Sequence, residues 1–143
     1  MKFLVINGPN LNLLGQREPG IYGEENYEAL CQMVKDYAAA HGSTAECFQS
    51  NYEGAIIDAI HGAQGVYDAI VMNPGSFTHY SIAILDALKA VDVPCIEVHI
   101  SNVHQREEFR HKSVTAPACV GQVTGLGLYG YLAAMGYFLE KKG

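Results

Sequence analysis

The fold is decided by the segment Phe3-Leu4-Val5-Ile6 and the stretch that follows it directly, Asn7-Gly8-Pro9-Asn10-Leu11-Asn12-Leu13-Leu14-Gly15-Gln16-Arg17-Glu18-Pro19-Gly20-Ile21-Tyr22-Gly23. The apolar residues 3–6 predict a buried first strand. Residues 7–23 show neither helix nor strand periodicity, and their glycines and prolines mark sharp turns. Connections in compact domains are usually about 4–6 residues long, and much longer ones tend to be lids or binding loops. A long loop at the end of a first strand is typical of an α/β protein that carries its chemistry there.

Length and composition indicate one globular domain. A chain of 143 residues with 49% hydrophobic residues can bury a sizeable core, and no apolar run approaches the ~20 residues of a membrane span. The apolar run after Met1-Lys2 is short and ends at Asn7, so we expect no signal peptide and a cytoplasmic location. The net charge of −6 argues against nucleic-acid binding, and an anionic substrate would need a local cationic site.

Strand and helix patterns alternate along the chain. Continuous apolar runs in the strands predict a parallel sheet that is covered on both faces. The predicted fold is α/β, a flavodoxin-like doubly wound five-stranded parallel sheet with helices on both faces, in a single domain over 1–143 with a lid loop at about 8–24. Predicted strands lie at 3–6, 43–49, 69–72, 95–100 and 120–124, and predicted helices lie at 26–41, from 53 onward, around 84–91, at 103–110 and at 126–141.

Three of the predicted helices carry capping signals at their starts. Asn26 is placed to cap the first helix, and Ser50 and Glu53 have the spacing of a capping box before the second. Asn102 and Gln105 form a candidate cap pair for the short helix at 103–110.

Polar side chains follow three of the predicted strands. Ligands of doubly wound sheets bind beyond the carboxyl ends of the strands, so we expect these side chains to share one edge. They are Asn7, Asn10, Arg17 and Tyr22 after the first strand, residues 73–79 after the third, and residues 99–102 with Arg106 and Arg110 at the end of the fourth.

Tyr22 and Arg17 are candidates for a general base and its activator. An ordinary phenol has a pKa of about 10, so ionising it near pH 7 needs ~4 kcal/mol of preferential phenolate stabilisation. A guanidinium in a dehydrated pocket can supply a stabilisation of that order. A tyrosine packed on the surface and a solvated loop arginine are the alternatives.

Glu97 and His99 are candidates for a general acid. They lie two residues apart in one predicted strand, so both side chains point to the same face. A carboxylate beside an imidazole fixes its tautomer and favours its protonated form. A core histidine, and a structural role for Glu97 as a hydrogen-bond acceptor, remain alternatives.

Other residues are candidates for substrate binding. Ile100 and Ser101 stand at a predicted strand-to-helix turn, where backbone N–H groups can bind an anion. Arg106 and Arg110 are four residues apart and predicted to share a helix face, which is also the pattern of a solvated basic face. Asp86 lies off the apolar stripe of its helix and, within one chain, is expected to be a surface charge.

A glycine motif near the end of the chain imitates a cofactor site. Gly125-Leu126-Gly127-Leu128-Tyr129-Gly130 matches the dinucleotide-binding pattern. The sequence leaves no room after it for the second strand and acidic residue of that motif, so we favour close packing of the last helix. The cysteines form no Cys-x-x-Cys pair and metal ligands are not closely spaced, so neither a metal site nor a redox motif is predicted.

Several segments occur in the order and spacing of one known family. They are Ile6-Asn7-Gly8-Pro9-Asn10-Leu11-Asn12-Leu13-Leu14-Gly15 with Arg17-Glu18-Pro19 and Tyr22-Gly23; Gln49-Ser50-Asn51 with Glu53-Gly54; Asn73-Pro74-Gly75 with Thr78-His79; Glu97-Val98-His99-Ile100-Ser101-Asn102-Val103-His104 with Arg106-Glu107-Glu108-Phe109-Arg110; and Gly125-Leu126-Gly127. On these segments the sequence resembles type II 3-dehydroquinate dehydratase across nearly its whole length. After Arg110 it departs, because His111-Lys112-Ser113-Val114 stands where the family pattern has His-His-Ser-Tyr.

The resemblance implies a cofactor-free, reversible anti dehydration of 3-dehydroquinate to 3-dehydroshikimate through an enolate, in the shikimate pathway. It implies that Tyr22 removes the proton beside the ketone, that Arg17 stabilises its phenolate, and that His99 protonates the departing hydroxyl. It also implies a dodecamer built from trimers. The remaining implied roles are a water held by Asn10 against the enolate oxygen, the substrate carboxylate bound by Asn73 and the backbone of Ile100 and Ser101, hydroxyls bound by His79 and Arg110, and Asp86 acting across a subunit boundary.

Two other function classes compete with this one. A flavodoxin-like module could bind flavin or serve as a phosphorylatable receiver, although Asn7 and Asn73 stand where a receiver needs acidic residues. A histidine-rich metallohydrolase would need metal ligands at closer spacing.

Overall fold

The computed structural model describes residues 1–16, 20 and 25–142, the last of them by its backbone alone. In this part of the chain the strands are β1 (Lys2–Asn7), β2 (Thr44–Gln49), β3 (Ala69–Asn73), β4 (Cys95–His99) and β5 (Gly121–Thr124). They form one sheet in the order β2-β1-β3-β4-β5, and every neighbouring pair is parallel. This is the flavodoxin-like order, so the predicted fold class is confirmed.

Four α-helices of the described chain cover the two faces of the sheet. They are α1 (Tyr27–Ala40), α2 (Glu53–Ala63), α3 (Ile82–Lys89) and α4 (Tyr129–Lys142). Helices α1 and α4 pack on the face that includes Phe3 and Val5, whereas α2 and α3 pack on the face that includes Leu4 and Ile6. Each such apolar side chain, once fully buried, contributes about 1.5–3 kcal/mol relative to exposure. The alternation along β1 therefore builds two cores, one on each side of the sheet.

The capping signals are confirmed at one helix and wrong at another. The Asn26 side chain accepts a hydrogen bond from the Ala29 backbone N–H at 2.8 Å, as expected of an N-cap. The predicted capping box at the start of α2 does not form. Ser50 instead accepts from the Tyr52 backbone N–H, and the Glu53 carboxylate accepts from the hydroxyl of Ser81. Because Ser81 caps α3 and occupies the Glu53 side chain, Glu53 ties α2 to α3 rather than closing its own helix.

The predicted helix over 103–110 is also wrong. The chain forms two separate 3-10 turns, Val103–Gln105 and Glu108–His111, and Asn102 caps the first by accepting from the His104 backbone N–H at 3.1 Å. Between them Arg106 has an extended backbone, with φ −110° and ψ −168°. Arg106 and Arg110 therefore do not share a helix face.

Close contacts at two glycines shape the carboxyl edge of the sheet. A Cβ at Gly8 would lie 2.4 Å from the Pro74 carbonyl oxygen, so only glycine lets the turn after β1 meet the turn after β3. A Cβ at Gly130 would lie 3.2 Å from Val98 Cγ1 and 3.3 Å from Val123 Cγ1. Tight packing of α4 on the sheet thus accounts for Gly130 in the cofactor-like motif, as predicted.

Among the described residues, no helix combines the length and the apolar character needed to cross a membrane. The cysteines are free thiols, and Cys95 is buried.

Candidate active site

A cavity of about 200 Å³ opens at the carboxyl edge of the sheet. It is lined by residues from the turns after β1 and β3 and from the end of β4, which is the arrangement expected for a doubly wound sheet. Arg17 and Tyr22 lie outside the described residues. The predicted site residues that line the cavity are Asn10, Asn73, His79, His99, Ile100, Ser101, Arg106 and Arg110.

The turn after β1 is held in place by the end of β2. Asn10 has a left-handed backbone, with φ 71°, a conformation that asparagine tolerates better than most residues. Its backbone N–H donates to Asn51 Oδ1 at 2.9 Å, and Gln49 Nε2 donates to the Gly8 carbonyl at 3.1 Å. Gln49 and Asn51 belong to the family-like segments, but no role was predicted for either. They fix the position of Asn10 at the cavity.

Asn73 is oriented by a buried chain of hydrogen bonds on the α1/α4 face. Tyr131 of α4 is fully buried, which raises the pKa of its phenol. The hydroxyl donates to Asn7 Oδ1 at 2.6 Å and accepts from Asn73 Nδ2 at 3.0 Å. Asn73 Oδ1 accepts from the Gly75 backbone N–H at 3.1 Å, so one N–H of the Asn73 amide remains for a ligand. Asn7 itself is buried beneath the cavity and does not line it.

Glu97 and His99 form the predicted pair at the end of β4. Both are buried, and His99 Nε2 lies 2.8 Å from Glu97 Oε2. Burial would raise the pKa of Glu97, but hydrogen bonds from His99, Thr115 and Ser113 outweigh it and lower the pKa to about 2. Glu97 is therefore a carboxylate at neutral pH and can only accept, so Nε2 of His99 carries a proton and Nδ1 remains to serve a ligand.

His79 is held in a defined tautomer at the wall of the cavity. Its Nδ1 lies 2.8 Å from the Lys112 carbonyl oxygen, which can only accept, so Nδ1 carries a proton. Its ring also packs edge-on against Phe109, with 6.2 Å between ring centroids. Nε2 is then the nitrogen of His79 that can meet a ligand.

Arg106 and Arg110 bring positive charge to the cavity although they share no helix face. Arg106 Nη1 donates to Ser101 Oγ at 3.4 Å, and Arg110 Nε donates to Glu107 Oε1 at 3.1 Å. In a chain with a net charge of −6, these guanidiniums supply the local cationic site that an anionic substrate needs. Asp86 does not join this site, because it lies on the exposed side of α3 and does not line the cavity.

Several residues that support the site gave no signal that singled them out in the sequence. Tyr131 lies among the apolar residues of α4, and no role was predicted for it. Gln122 faces Glu97 only because β5 pairs in parallel with β4, and Ser113 and Thr115 reach Glu97 across the loop between β4 and β5. The register of the sheet was the information needed to find them. Among the described residues, no group of three or more His, Cys, Asp or Glu side chains is placed to hold a metal ion.

Comparisons with known proteins place the chain among enzymes of one kind. Residues 1–139 match the family described as "Dehydroquinase class II". The 3-dehydroquinate dehydratase of Clostridium perfringens is 57% identical over 99% of this chain and 99% of that protein. A crystal structure of type II dehydroquinase from Butyrivibrio crossotus matches with a TM-score of 0.94 and 58% identity over 98% of this chain and 97% of that chain. The crystal structure of type II dehydroquinase from Propionibacterium acnes matches with a TM-score of 0.94 and 43% identity, over 97% of this chain and 96% of that chain.

The depressed pKa of Glu97 predicts a loss of stability in acid. Its pKa falls from an ordinary value of about 4.5 to about 2 on folding, so the stabilisation is complete above pH 4.5 and disappears as the pH falls toward 2. The free energy of unfolding of the wild type should therefore decrease relative to that of Glu97→Gln by on the order of 3 kcal/mol over this range. Urea unfolding at several pH values measures the difference. Glu28→Gln, at an exposed position of α1, is the matched control, and parallel pH profiles for wild type and Glu97→Gln would contradict the assignment.

Proposed function

The chain belongs to the class II dehydroquinase family and is a lyase of the shikimate pathway that dehydrates 3-dehydroquinate, and from that premise we propose which of its residues carry each part of the reaction. The reaction is an anti elimination. A base removes the proton beside the ketone, the electron pair is held as an enolate, and an acid protonates the hydroxyl, which leaves as water. The single observation that carries the assignment is the buried Glu97–His99 pair at the cavity.

His99 is the general acid. It lines the cavity, and its Nε2 proton is held by a carboxylate that stays ionised at neutral pH. This negative charge stabilises the imidazolium, so Nδ1 can carry the proton that the departing hydroxyl takes. The leaving water then carries away that proton, and the imidazole is reprotonated from solvent. Glu97 acts through His99 and does not touch the substrate.

Tyr22 is the general base and Arg17 stabilises its phenolate. The structure does not describe either residue. The assignment is supported by the sequence segment that contains both of them and matches the family pattern. Exclusion of water around a phenolate and a guanidinium would strengthen their attraction, since the effective dielectric constant falls. Base and acid then come from different parts of the chain, the sequence that follows β1 and the end of β4.

The remaining polar groups bind the substrate and the developing charge. Asn73 and the backbone N–H groups of Ile100 and Ser101 receive the carboxylate, and His79 with Arg110 binds hydroxyls. Arg106 adds positive charge beside Ser101 and strengthens the attraction for the anionic substrate. Asn10, held by Asn51, positions a water against the enolate oxygen. Within the described part of the chain, one N–H of Asn73 and Nε2 of His79 have no partner, which supports these roles.

The active assembly is a cytoplasmic dodecamer built from trimers, with Asp86 reaching the site of a neighbouring subunit. Two observations on α3 support this. Asp86 is exposed and does not line the cavity of its own chain. Two large apolar side chains near the start of the same helix, Tyr80 and Ile82, are 61% and 62% exposed, as expected of a surface that another chain covers.

Removal of the base or the acid should abolish turnover without unfolding the protein. In metal-free buffer that contains a chelator, the wild type should convert 3-dehydroquinate with the appearance of enone absorbance. Tyr22→Phe and His99→Asn should each lower kcat by about 100-fold or more, because each removes a proton-transfer group. Tyr137→Phe, an exposed tyrosine of α4, is the control and should keep wild-type turnover. Near-normal turnover of Tyr22→Phe would remove Tyr22 as the base, and loss of wild-type activity on chelation would contradict the cofactor-free reaction.

Mixing two inactive variants tests whether Asp86 serves a neighbouring site. Asp86→Ala and Tyr22→Phe should each have low activity alone. Co-assembled from a mixture of unfolded chains, they should regain activity, because some sites combine an intact Tyr22 with Asp86 from the other chain. Size-exclusion chromatography with differently tagged chains shows whether mixed assemblies form. Mixed assemblies without any gain of activity would show that Asp86 does not act across the boundary.

A further inference from the structure

Four uncharged side chains beyond His99 surround the Glu97 carboxylate. We propose that Thr78, Ser113, Thr115 and Gln122, here called the Glu97 cradle, are positioning residues for the acid step, which hold Glu97 in one orientation and through it fix the orientation and tautomer of His99. The inference rests on the proposed role of His99 as the general acid.

The cradle converges on Glu97 from three separate parts of the chain. Thr78 lies in the 3-10 turn Gly75–His79 after β3, and its Oγ1 is 3.1 Å from Glu97 Oε2. Ser113 and Thr115 lie in the loop between β4 and β5, with Ser113 Oγ 2.8 Å from Oε2 and the Thr115 hydroxyl donating to Oε1. Gln122, the parallel partner of Glu97 in β5, donates from Nε2 to Oε2 at 2.7 Å.

A count of protons shows that the cradle is built for the charged form of Glu97. Gln122 Nε2 can only donate. Ser113 Oγ accepts from the Ala116 backbone N–H at 2.9 Å and lies 2.7 Å from Thr78 Oγ1, so one of these two hydroxyls donates to the other and the remaining proton is directed at Glu97 Oε2. The Thr115 hydroxyl is the donor found at Oε1 within the described chain. A protonated Glu97 would meet donors on both oxygens, and at least one hydroxyl would have to turn away to accept its proton.

The uncharged character of the cradle matters for His99. A lysine or arginine in its place would also hold the carboxylate, but it would neutralise the charge that stabilises the imidazolium. Hydroxyl and amide donors fix the two oxygens and leave the negative charge in place. The carboxylate can then bind the Nε2 proton of His99 in one direction, which leaves Nδ1 directed to the ligand.

The cradle does not form the wall of the cavity. Thr115 is fully buried and Thr78 is 1% exposed, and none of the four cradle residues lines the cavity. Their effect on the reaction must pass through Glu97 and His99. Substitution should therefore impair the protonation of the leaving hydroxyl and leave substrate binding intact.

Three cradle variants and one control test this inference. Thr115→Val removes a hydroxyl at nearly constant shape, Thr115→Ser keeps the hydroxyl, and Gln122→Met removes the amide donor at the exposed edge of the sheet. Ser43→Ala, which removes a largely buried hydroxyl bonded to the amino terminus, is the control. The measurements are kcat, KM and the isotope effect on kcat for 3-dehydroquinate deuterated at the carbon beside the ketone.

We expect Thr115→Val and Gln122→Met to lower kcat about 10-fold or more, as loss of an outer partner of a functional histidine commonly does, with KM within about 2-fold of the wild type. Thr115→Ser and Ser43→Ala should keep wild-type kcat. The substrate isotope effect of the impaired variants should be no larger than that of the wild type, because the step that slows is protonation of the leaving group rather than abstraction of the proton.

Wild-type kcat in both Thr115→Val and Gln122→Met would overturn the inference. The inference would also be overturned if Thr115→Ser lowered kcat as much as Thr115→Val, or if the impaired variants changed only in KM. A substrate isotope effect on kcat larger than that of the wild type would overturn it as well. If Thr115→Val fails to fold, Gln122→Met carries the test. His99→Asn distinguishes failure of the acid role of His99 from failure of the cradle's positioning role. If His99→Asn keeps turnover, both roles are wrong. If it loses turnover while both cradle variants keep wild-type kcat, only the positioning role is wrong.

Discussion

The 2.8 Å hydrogen bond between His99 Nε2 and Glu97 Oε2 is the interaction on which the rest of the site depends. It places an ionised carboxylate, fully shielded from solvent, at the end of a strand with neighbours on both sides. A buried charge without partners would cost several kcal/mol, so the fold must deliver donors to it. The loop between β4 and β5 and the turn after β3 supply them, and this need explains why irregular backbone in those segments is held so closely against the sheet.

The alternation of side chains along the strands divides the polar groups of the site between the two faces of the sheet. Asn7 and Asn73 point to the α1/α4 face, where Tyr131 joins them in one buried hydrogen-bonded chain. Glu97 and His99 point to the α2/α3 face with the cradle. Both networks end at the same carboxyl edge of the sheet. The Asn7–Tyr131–Asn73 chain lies below the groups proposed to bind substrate, and the Glu97 network lies below His99, the proposed acid. Each network is buried and nearly fully hydrogen-bonded, which favours a single rigid arrangement of the groups that meet the ligand.

The sequence alone was sufficient for the fold class and for most residues that line the cavity. The fold class follows from periodicity, and the place of the cavity follows from the fold class. Continuous apolar runs predicted the parallel sheet, and the rule that ligands bind at the carboxyl ends of strands predicted the edge. The spacing of Glu97 and His99 predicted their contact, since residues two apart share a face. Tertiary contacts decided the rest: Ser81 takes the Glu53 carboxylate and prevents the capping box, and an extended Arg106 breaks the helix expected at 103–110. The cradle was not predictable, because it depends on strand register and on a loop that packs across the sheet edge.

The site depends on a negative charge on Glu97 and on a proton that His99 Nε2 carries between the two side chains. Neutron diffraction from crystals of the wild-type protein grown in D₂O at neutral pD measures this directly, because it locates each deuteron. This arrangement predicts a deuteron on His99 Nε2 directed at Glu97 Oε2, deuterons of Thr115, Gln122 and either Ser113 or Thr78 directed at the carboxylate, and none bonded to either oxygen of Glu97. A deuteron bonded to Glu97, with Nε2 of His99 bare and accepting from it, would rule out this charge distribution.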